Sequence, residues 1–146
     1  MRYSNKVSAV IKWYKVERWL YIHRLSFLAT LVYHLIQIIF GCTIPYSAEL
    51  EEGVNIAHFH GVVIHQHSKI GRNTLIYQNV CLGGVNGKGG PTIGNDCVIG
   101  AGACILGEIH IGNNVKVGAN AVVLCDIPDC CTVVGVPAQI IKRENK

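Results

Sequence analysis

A six-residue repeat constrains the fold of this chain more than any other feature. One aliphatic residue recurs at every sixth position without a fault, at Ile93, Ile99, Ile105, Ile111, Val117 and Val123. An earlier run follows the same rule at Ile64, Ile70, Ile76 and Leu82. Neither an α-helix nor a half-buried strand produces this period, whereas a triangular coil of three short strands does. Three hexapeptides then complete one coil, so we expect Ile93 to stack on Ile111 and Ile99 on Val117.

One segment, residues 83–92, interrupts the repeat. It places ten residues between Leu82 and Ile93, where the period leaves room for five, and it is rich in glycine. An insertion into a solenoid becomes a loop that projects from one corner. A tolerated surface insertion and a binding loop both fit this pattern, and the break in a strict repeat makes the binding role at least as well supported.

The first 40 residues follow a helical pattern instead. Apolar residues recur there at three- and four-residue spacing, which predicts two helices with a break near Leu25 and a stop at Gly41. The second helix is the more hydrophobic, so we expect it to be the more deeply buried. The chain therefore divides into a helical segment (1–41), a β-helix domain (42–141) with its loop (83–92), and a basic tail (142–146).

The charge of the chain is concentrated at its N-terminus. Six basic residues face Glu17 alone in residues 1–24, a net charge of +5, whereas the remainder carries seven basic and eight acidic residues. A solvated helix face and attraction to an anionic membrane surface both fit this asymmetry. The β-helix itself lacks a basic excess, so we expect no nucleic-acid partner. The apolar run 25–40 is shorter than the roughly 20 residues that span a bilayer.

Seven cysteines are present, but their arrangement does not predict a disulfide framework. The count is odd, Cys130 and Cys131 are adjacent, and the chain has neither a CxxC motif nor a signal peptide. These features favour reduced thiols in a cytoplasmic protein.

Residues 55–67 hold four of the seven histidines: His58, His60, His65 and His67. A neutral imidazole with a pKa near working pH suits removal of a proton from an attacking alcohol, which predicts general-base catalysis. The i, i+2 spacing of the pairs also allows zinc binding, because alternation along a strand puts both members on one face. No cysteine or carboxylate is dedicated to these pairs, so we expect no metal.

Several motifs together resemble the serine acetyltransferases and their short relatives. They are residues 17–24, the Gly41-Cys-Thr-Ile-Pro45 entry, the His58 segment, and residues 78–84, 99–107 and 135–141. The resemblance implies a left-handed parallel β-helix, acetyl-CoA as co-substrate, and a homotrimer with active sites at the subunit interfaces. Many short relatives resemble sugar O-acetyltransferases of capsule and exopolysaccharide biosynthesis.

The resemblance also assigns roles to individual residues. His58 matches the catalytic base of the family. The positions that match the acetyl-CoA site are Gly84, Ala101 and Ala119 in the groove and Lys142 and Arg143 near the phosphates. Acceptor binding is expected from His60, His65 and Lys88.

Three departures from the family pattern bear on the acceptor. Thr43 and Ala57 stand where serine acetyltransferases carry acidic residues, and Gly89 and Gly90 replace an Arg-His pair. A zwitterionic amino acid needs charged partners, because an unpaired charge in a site is costly. We therefore expect a sugar hydroxyl as acceptor, with serine as the alternative.

Two other classes of function fit the same scaffold. One is a zinc enzyme similar to the γ-type carbonic anhydrases, and the other is a non-catalytic β-helix assembly module. Elemental analysis and a test for CoA binding distinguish them from an acetyltransferase.

Overall fold

The computed structural model describes residues 8–86 and 89–143. Two helices come first, α1 (Ala9–Ile22) and α2 (Ser26–Phe40), with the break where the sequence predicts it. Gly41 ends α2 in the left-handed conformation, with φ at 61°, and its N–H donates to the carbonyl of Gln37. Glycine adopts this conformation without the steric cost of a Cβ, which confirms its predicted role as a stop signal.

Fourteen short strands follow. They are β1 (Glu49–Leu50), β2 (Asn55–Ile56), β3 (Val63–Ile64), β4 (Lys69–Ile70), β5 (Leu75–Ile76), β6 (Cys81–Gly83), β7 (Thr92–Ile93), β8 (Val98–Ile99), β9 (Cys104–Leu106), β10 (His110–Ile111), β11 (Lys116–Val117), β12 (Val122–Val123), β13 (Cys131–Val134) and β14 (Gln139–Arg143). All pairs are parallel except β13 with β14.

The strands form the three faces of a β-helix. Face A holds β3, β6, β9 and β12; face B holds β1, β4, β7 and β10; face C holds β2, β5, β8, β11, β13 and β14. Ile93 pairs in register with Ile111, and Ile99 with Val117, so the predicted stacking of successive coils is confirmed.

A continuous aliphatic core fills the coil. The residue at each sixth position points inward and is almost completely buried, as at Ile99, Ile105 and Val123. Burial of each such side chain contributes about 1.5–3 kcal/mol relative to exposure, so the repeat is the main source of stability.

Asparagine and glycine shape the turns between faces C and A. Asn79 and Asn120 have positive φ there, as do Gly61 and Gly102. A Cβ on Gly102 would overlap the Oδ1 of Asn120 in the next coil. These turns therefore need residues that tolerate the left-handed region and leave room for the asparagine stack.

Helix α1 covers the open end of the first coil. Its buried residues are Val10, Ile11, Tyr14 and Glu17, of which the first three join the β-helix core. The hydroxyl of Tyr14 donates to the carbonyl of Ala48 at 2.6 Å and accepts the N–H of Leu50 at 3.3 Å. Residues from the helix thus satisfy backbone groups at the edge of the first coil.

The expectation that α2 is the more deeply buried helix is wrong for the single chain. Only Ala29, Ile36 and Phe40 are buried on α2, whereas Phe27 is 82% and Ile38 80% exposed. The helix packs one face on its neighbours and leaves the other apolar face uncovered. Neither helix of the described segment is long and apolar enough to cross a membrane.

The insertion 83–92 leaves the coil between β6 on face A and β7 on face B. Lys69 pairs with Thr92, so the chain takes five more residues here than in a regular coil such as the one from Ile93 to Ile111. The sequence predicts the loop as 83–92, whereas Gly83 belongs to β6 and Thr92 to β7. Residues 87–88 of this loop lie outside the described part of the chain.

Candidate functional site

His58 lies in the turn between β2 and β3, at the corner where faces C and A meet. We name this edge of the coil the CA corner; it comprises the stacked turns 57–62, 77–80, 100–103 and 118–121. His58 is exposed, and its ring centroid is 6.5 Å from that of Tyr77 in the next coil. The imidazole is therefore open to an incoming reactant while an aromatic ring lies beside it.

The two positions expected to orient the histidine and bind an amino acid are uncharged. Thr43 pairs with Val63 at the start of face A, and its hydroxyl accepts a hydrogen bond of 3.4 Å from the amide of Gln37. Ala57 is half-buried, and its N–H donates to the carbonyl of Ile76. Neither residue supplies a carboxylate to the turn that carries His58.

Ala101 and Ala119 lie on the same CA corner, in the coils above His58. The carbonyl of Ala101 accepts the N–H of Asn120 at 2.9 Å. A Cβ added to Gly100 would approach the backbone nitrogen of Ala119 to 2.7 Å, so consecutive turns stack backbone against backbone. Small residues here leave a shallow wall of peptide groups that an extended ligand can contact.

His65 and Gly84 lie at the opposite edge of face A, which we name the AB corner. This corner comprises the turns 45–48 and 65–68 and the loop 83–92. A Cβ on Gly90 would meet the Oγ of Ser68 at 2.5 Å and the Nδ1 of His65 at 2.9 Å. The returning limb of the loop thus packs closely on His65. Lys88, expected beside it, lies outside the described residues.

The predicted site residues are therefore divided between two edges of one face. His58, Ala101 and Ala119 lie on the CA corner, whereas Gly84 and His65 lie on the AB corner. A single chain does not bring the two groups together.

Face A, between these two corners, carries no lysine, arginine, aspartate or glutamate side chain among the described residues. Its outward residues are Val63, His65, Cys81, Gly83, Cys104, Leu106, Val122 and Leu124. Face B differs, because Glu49 pairs with Lys69 at 3.7 Å and Glu51 with Arg72 at 3.2 Å on its surface. Exposed apolar surface without charged side chains is typical of protein–protein interfaces.

His60 lies in the same CA-corner turn as His58, whereas Lys142 and Arg143 lie on the last strand. His60 is exposed, and its ring lies 4.7 Å from that of Phe59. Lys142 and Arg143 belong to β14, where their backbones pair with Thr132 and Cys131; their side chains are not among those described.

The described residues form no group of three histidine, cysteine, aspartate or glutamate side chains that could hold a metal ion. All seven cysteines are free thiols. Burial raises the pKa of the Cys97 thiol, so this residue is an inert part of the core.

Sequence reasoning missed an aromatic cleft beside the AB corner. It encloses about 490 Å³ between the helices and the first two coils. Its lining residues are Tyr21, Thr30, Tyr33, His34, Pro45, Tyr46, Ser47, Gln66 and His67. They come from four separate segments. Tyr21, Pro45 and His67 lie in motifs that the sequence analysis identifies, but nothing in the sequence indicates that these motifs meet in space.

Sequence reasoning also missed the environment of Glu17. This residue is fully buried, and neither carboxylate oxygen has a hydrogen-bond partner among the described residues. Burial raises its pKa to about 8, so the carboxyl is mostly protonated at neutral pH. The helical pattern identifies the position as one on α1, but not as one that faces the core.

Comparison with known proteins places these features in context. The sequence model of the family described as bacterial transferase hexapeptide (six repeats) matches residues 90–125. A serine acetyltransferase of Synechococcus elongatus is 46% identical over 135 residues, which cover 90% of this chain and 55% of that protein. A serine acetyltransferase of Helicobacter pylori is 41% identical, over 90% of this chain and 79% of that protein.

Solved structures give the same result. Serine acetyltransferase of Neisseria gonorrhoeae superposes with a TM-score of 0.88 at 37% identity, over 94% of this chain and 54% of that one. Soybean serine acetyltransferase complexed with serine gives a TM-score of 0.86 at 37% identity, over 90% of this chain and 56% of that one. The chain thus spans little more than half the length of several of these relatives.

Proposed function

Because this chain belongs to the serine acetyltransferase family, we propose that it transfers an acetyl group from acetyl-CoA to a hydroxyl. The single observation that carries this proposal is the position of His58, exposed on a β-helix corner that continues upward as a wall of small residues. The H. pylori relative, of which the chain covers 79%, supports the same activity.

In the proposed reaction His58 acts as the general base. Its imidazole takes the proton of the acceptor hydroxyl as the oxygen attacks the thioester carbonyl, and the new C–O bond forms. Backbone N–H groups suit the resulting oxyanion. Collapse of the tetrahedral intermediate breaks the C–S bond, and the imidazolium returns its proton to the CoA sulfur. No covalent enzyme intermediate is needed.

The acetyl-CoA site is proposed along the CA corner. Ala101 and Ala119 would contact the extended cofactor through their backbone groups, with Gly84 on the opposite wall from a neighbouring subunit. Lys142 and Arg143 would meet the phosphates. Support comes from the shared corner of His58, Ala101 and Ala119.

We propose a homotrimer in which face A turns toward the threefold axis. Under that symmetry the CA corner of one subunit lies against the AB corner of the next, because these corners are the two edges of face A. Such an arrangement would join His58 with the loop 83–92 and His65 of its neighbour. The uncharged surface of face A supports this assembly.

L-Serine is the acceptor that the relatives support. The curated relatives are named serine acetyltransferases, and solved structures of that enzyme include complexes with serine. These comparisons favour the alternative of the sequence analysis over a sugar acceptor, and they give no support to a role in polysaccharide biosynthesis.

A neutral saccharide hydroxyl is the second candidate, for one specific reason. Thr43, Ala57, Gly89 and Gly90 are uncharged at the positions where an amino-acid acceptor would need charged partners. Without these charges, the ammonium and carboxylate groups of serine lack the partners that they would need. The uncharged residues do not by themselves form a pocket for a sugar.

An acceptor screen tests the proposed function. Purified protein with acetyl-CoA should release CoA when L-serine is added, and its rate is compared with the rates for monosaccharides and nucleotide sugars. Release with serine alone confirms the first acceptor, and release with sugars alone confirms the second. If neither class of acceptor releases CoA above the rate without acceptor, the proposed activity is wrong.

Contact with an anionic membrane surface is proposed for the helical segment. Phe27 and Ile38 present large exposed apolar side chains on α2, and Lys12 and Lys15 add exposed positive charge on α1. Flotation with vesicles that contain one-third phosphatidylglycerol should carry the protein upward. Equal recovery with pure phosphatidylcholine vesicles would contradict an electrostatic contribution.

A further inference from the structure

We propose that the aromatic cleft beside the AB corner binds a neutral, hydroxyl-rich ligand of mono- or disaccharide size. This proposal rests on the proposed acetyltransferase function in one respect: a sugar bound in this cleft would be the acceptor of that reaction. Binding itself is a property of one chain and can be measured without turnover.

The size of the cleft fits a small organic ligand. Its volume of about 490 Å³ lies within the roughly 300–1,000 Å³ typical of small-molecule sites. The walls come from α1, α2 and the turns 45–48 and 65–68, so rigid elements of the fold define it.

Three tyrosines provide flat surfaces with polar edges. The rings of Tyr21 and Tyr46 lie 4.7 Å apart at an angle of 32°, and Tyr33 meets Tyr46 edge-on at 6.3 Å. A tyrosine ring offers an apolar face and a hydroxyl that can donate or accept. This combination matches a sugar ring, which has C–H groups on its faces and hydroxyls around its rim.

The backbone that carries this aromatic wall is fixed from behind. The guanidinium of Arg18 donates to the carbonyl of Tyr46 at 2.8 Å and lies 5.9 Å from the ring of Tyr21. Arg18 therefore stabilises the wall of the cleft from behind, and its guanidinium is not part of the lining.

The lining itself carries no carboxylate, lysine or arginine among the described residues. Hydrogen-bonding capacity comes instead from the neutral side chains of Ser47, Gln66 and Thr30 and from the imidazoles of His34 and His67. An ammonium group would find no carboxylate to pair with in this lining, whereas hydroxyl groups would find hydrogen-bond partners. The chemistry of the lining therefore selects a neutral polyol.

The position of the cleft in the proposed trimer would allow a bound ligand to act as the acceptor. It opens beside Gln66 and His67 at the AB corner, which the proposed threefold packing sets against the CA corner of a neighbour. A saccharide in the cleft would then present a hydroxyl toward the partner subunit's His58.

Saturation-transfer NMR with the full-length protein and the methyl glycosides of glucose, galactose and N-acetylglucosamine tests the inference. At least one glycoside should bind to the wild-type protein. Tyr46→Ala and Tyr21→Ala should each weaken that binding by tenfold or more, and Tyr46→Phe should keep part of it because the ring remains. Phe27→Ala is the matched control, since Phe27 is an exposed aromatic residue of α2 outside the cleft.

Two results would overturn the inference: no glycoside binding to the wild-type protein, or binding that the Tyr46 and Tyr21 variants leave unchanged. A circular dichroism melt of each variant shows whether it is folded before its binding is interpreted. CoA release with serine, measured on the same preparations, separates the two proposals. Loss of that activity with glycoside binding intact contradicts only the acetyltransferase function.

Discussion

Glu17 shows how a single residue makes the stability of the fold depend on pH. Its carboxyl is fully buried without a hydrogen-bond partner in the described part of the chain, and its pKa is raised from 4.5 to about 8. Between these pH values the folded chain holds a proton that the unfolded chain releases. The contribution of Glu17 to stability should therefore be greatest below pH 4.5 and decrease as pH rises toward 8, by about 1.4 kcal/mol for each pKa unit of difference.

Glu17→Gln tests this account at the residue scale. The amide does not ionise in this pH range. The melting temperature of the variant should therefore decrease less between pH 5 and 8.5 than that of the wild-type protein. Glu52→Gln changes an exposed carboxyl and serves as control. Identical slopes for wild type and Glu17→Gln would show that burial of the carboxyl does not control stability.

At the scale of an element, the edge of the first coil depends on helix α1 for hydrogen bonds. The hydroxyl of Tyr14 accepts one backbone hydrogen bond and donates another at the edge of the first coil. Tyr14→Phe should lower the free energy of unfolding by about 1–3 kcal/mol, because buried backbone groups lose their partner. Urea denaturation measures this change in the free energy of unfolding. Tyr21→Phe, on the exposed part of the same helix, is the control. A loss equal to that of the control would contradict the capping role.

Stacking of the coils gives a second prediction at this scale. A Cβ on Gly94 would meet the backbone of Gly112 at 2.6 Å, whereas one on Gly89 would meet the flexible side chain of Glu108 at 3.4 Å. Gly94→Ala should therefore destabilise the protein by about 1–3 kcal/mol, and Gly89→Ala should change it little. Similar melting temperatures for both variants would contradict close backbone stacking.

The elements also show what sequence periodicity can predict. The six-residue period identified the inward residues, the stacking of Ile93 on Ile111 and the insertion 83–92. It could do so because each strand buries one aliphatic residue, which recurs at every sixth position of the sequence. It did not identify the buried face of α1 or the exposure of α2. Helix packing depends on which elements meet in space, and the apolar residues of both helices lie on more than one face.

At the scale of the whole molecule, the site proposed here depends on assembly. The division of His58 and His65 between two corners follows from the fold and cannot be seen in the sequence. The aromatic cleft was missed for the same reason, since its residues are brought together only by the docking of the helices on the first coils.

Assembly through face A can be tested directly. Val63→Arg and Leu124→Arg place a charge on outward positions that are already 43% and 55% exposed in the single chain, so folding should be unaffected. Light scattering coupled to gel filtration should show three times the 15.9 kDa chain mass for the wild-type protein and a smaller species for the variants. His110→Arg on face B should remain trimeric. Variants that retain the wild-type mass would contradict packing through face A.

The central claim is that His58 removes the proton of an acceptor hydroxyl. The most direct measurement is CoA release from acetyl-CoA with the preferred acceptor, for wild type, His58→Gln and, as a control, His110→Gln on face B. His58→Gln should lower kcat by about 10²–10⁴-fold while binding of acetyl-CoA is retained, and His110→Gln should match the wild type. A His58→Gln variant that turns over at the wild-type rate would contradict the account.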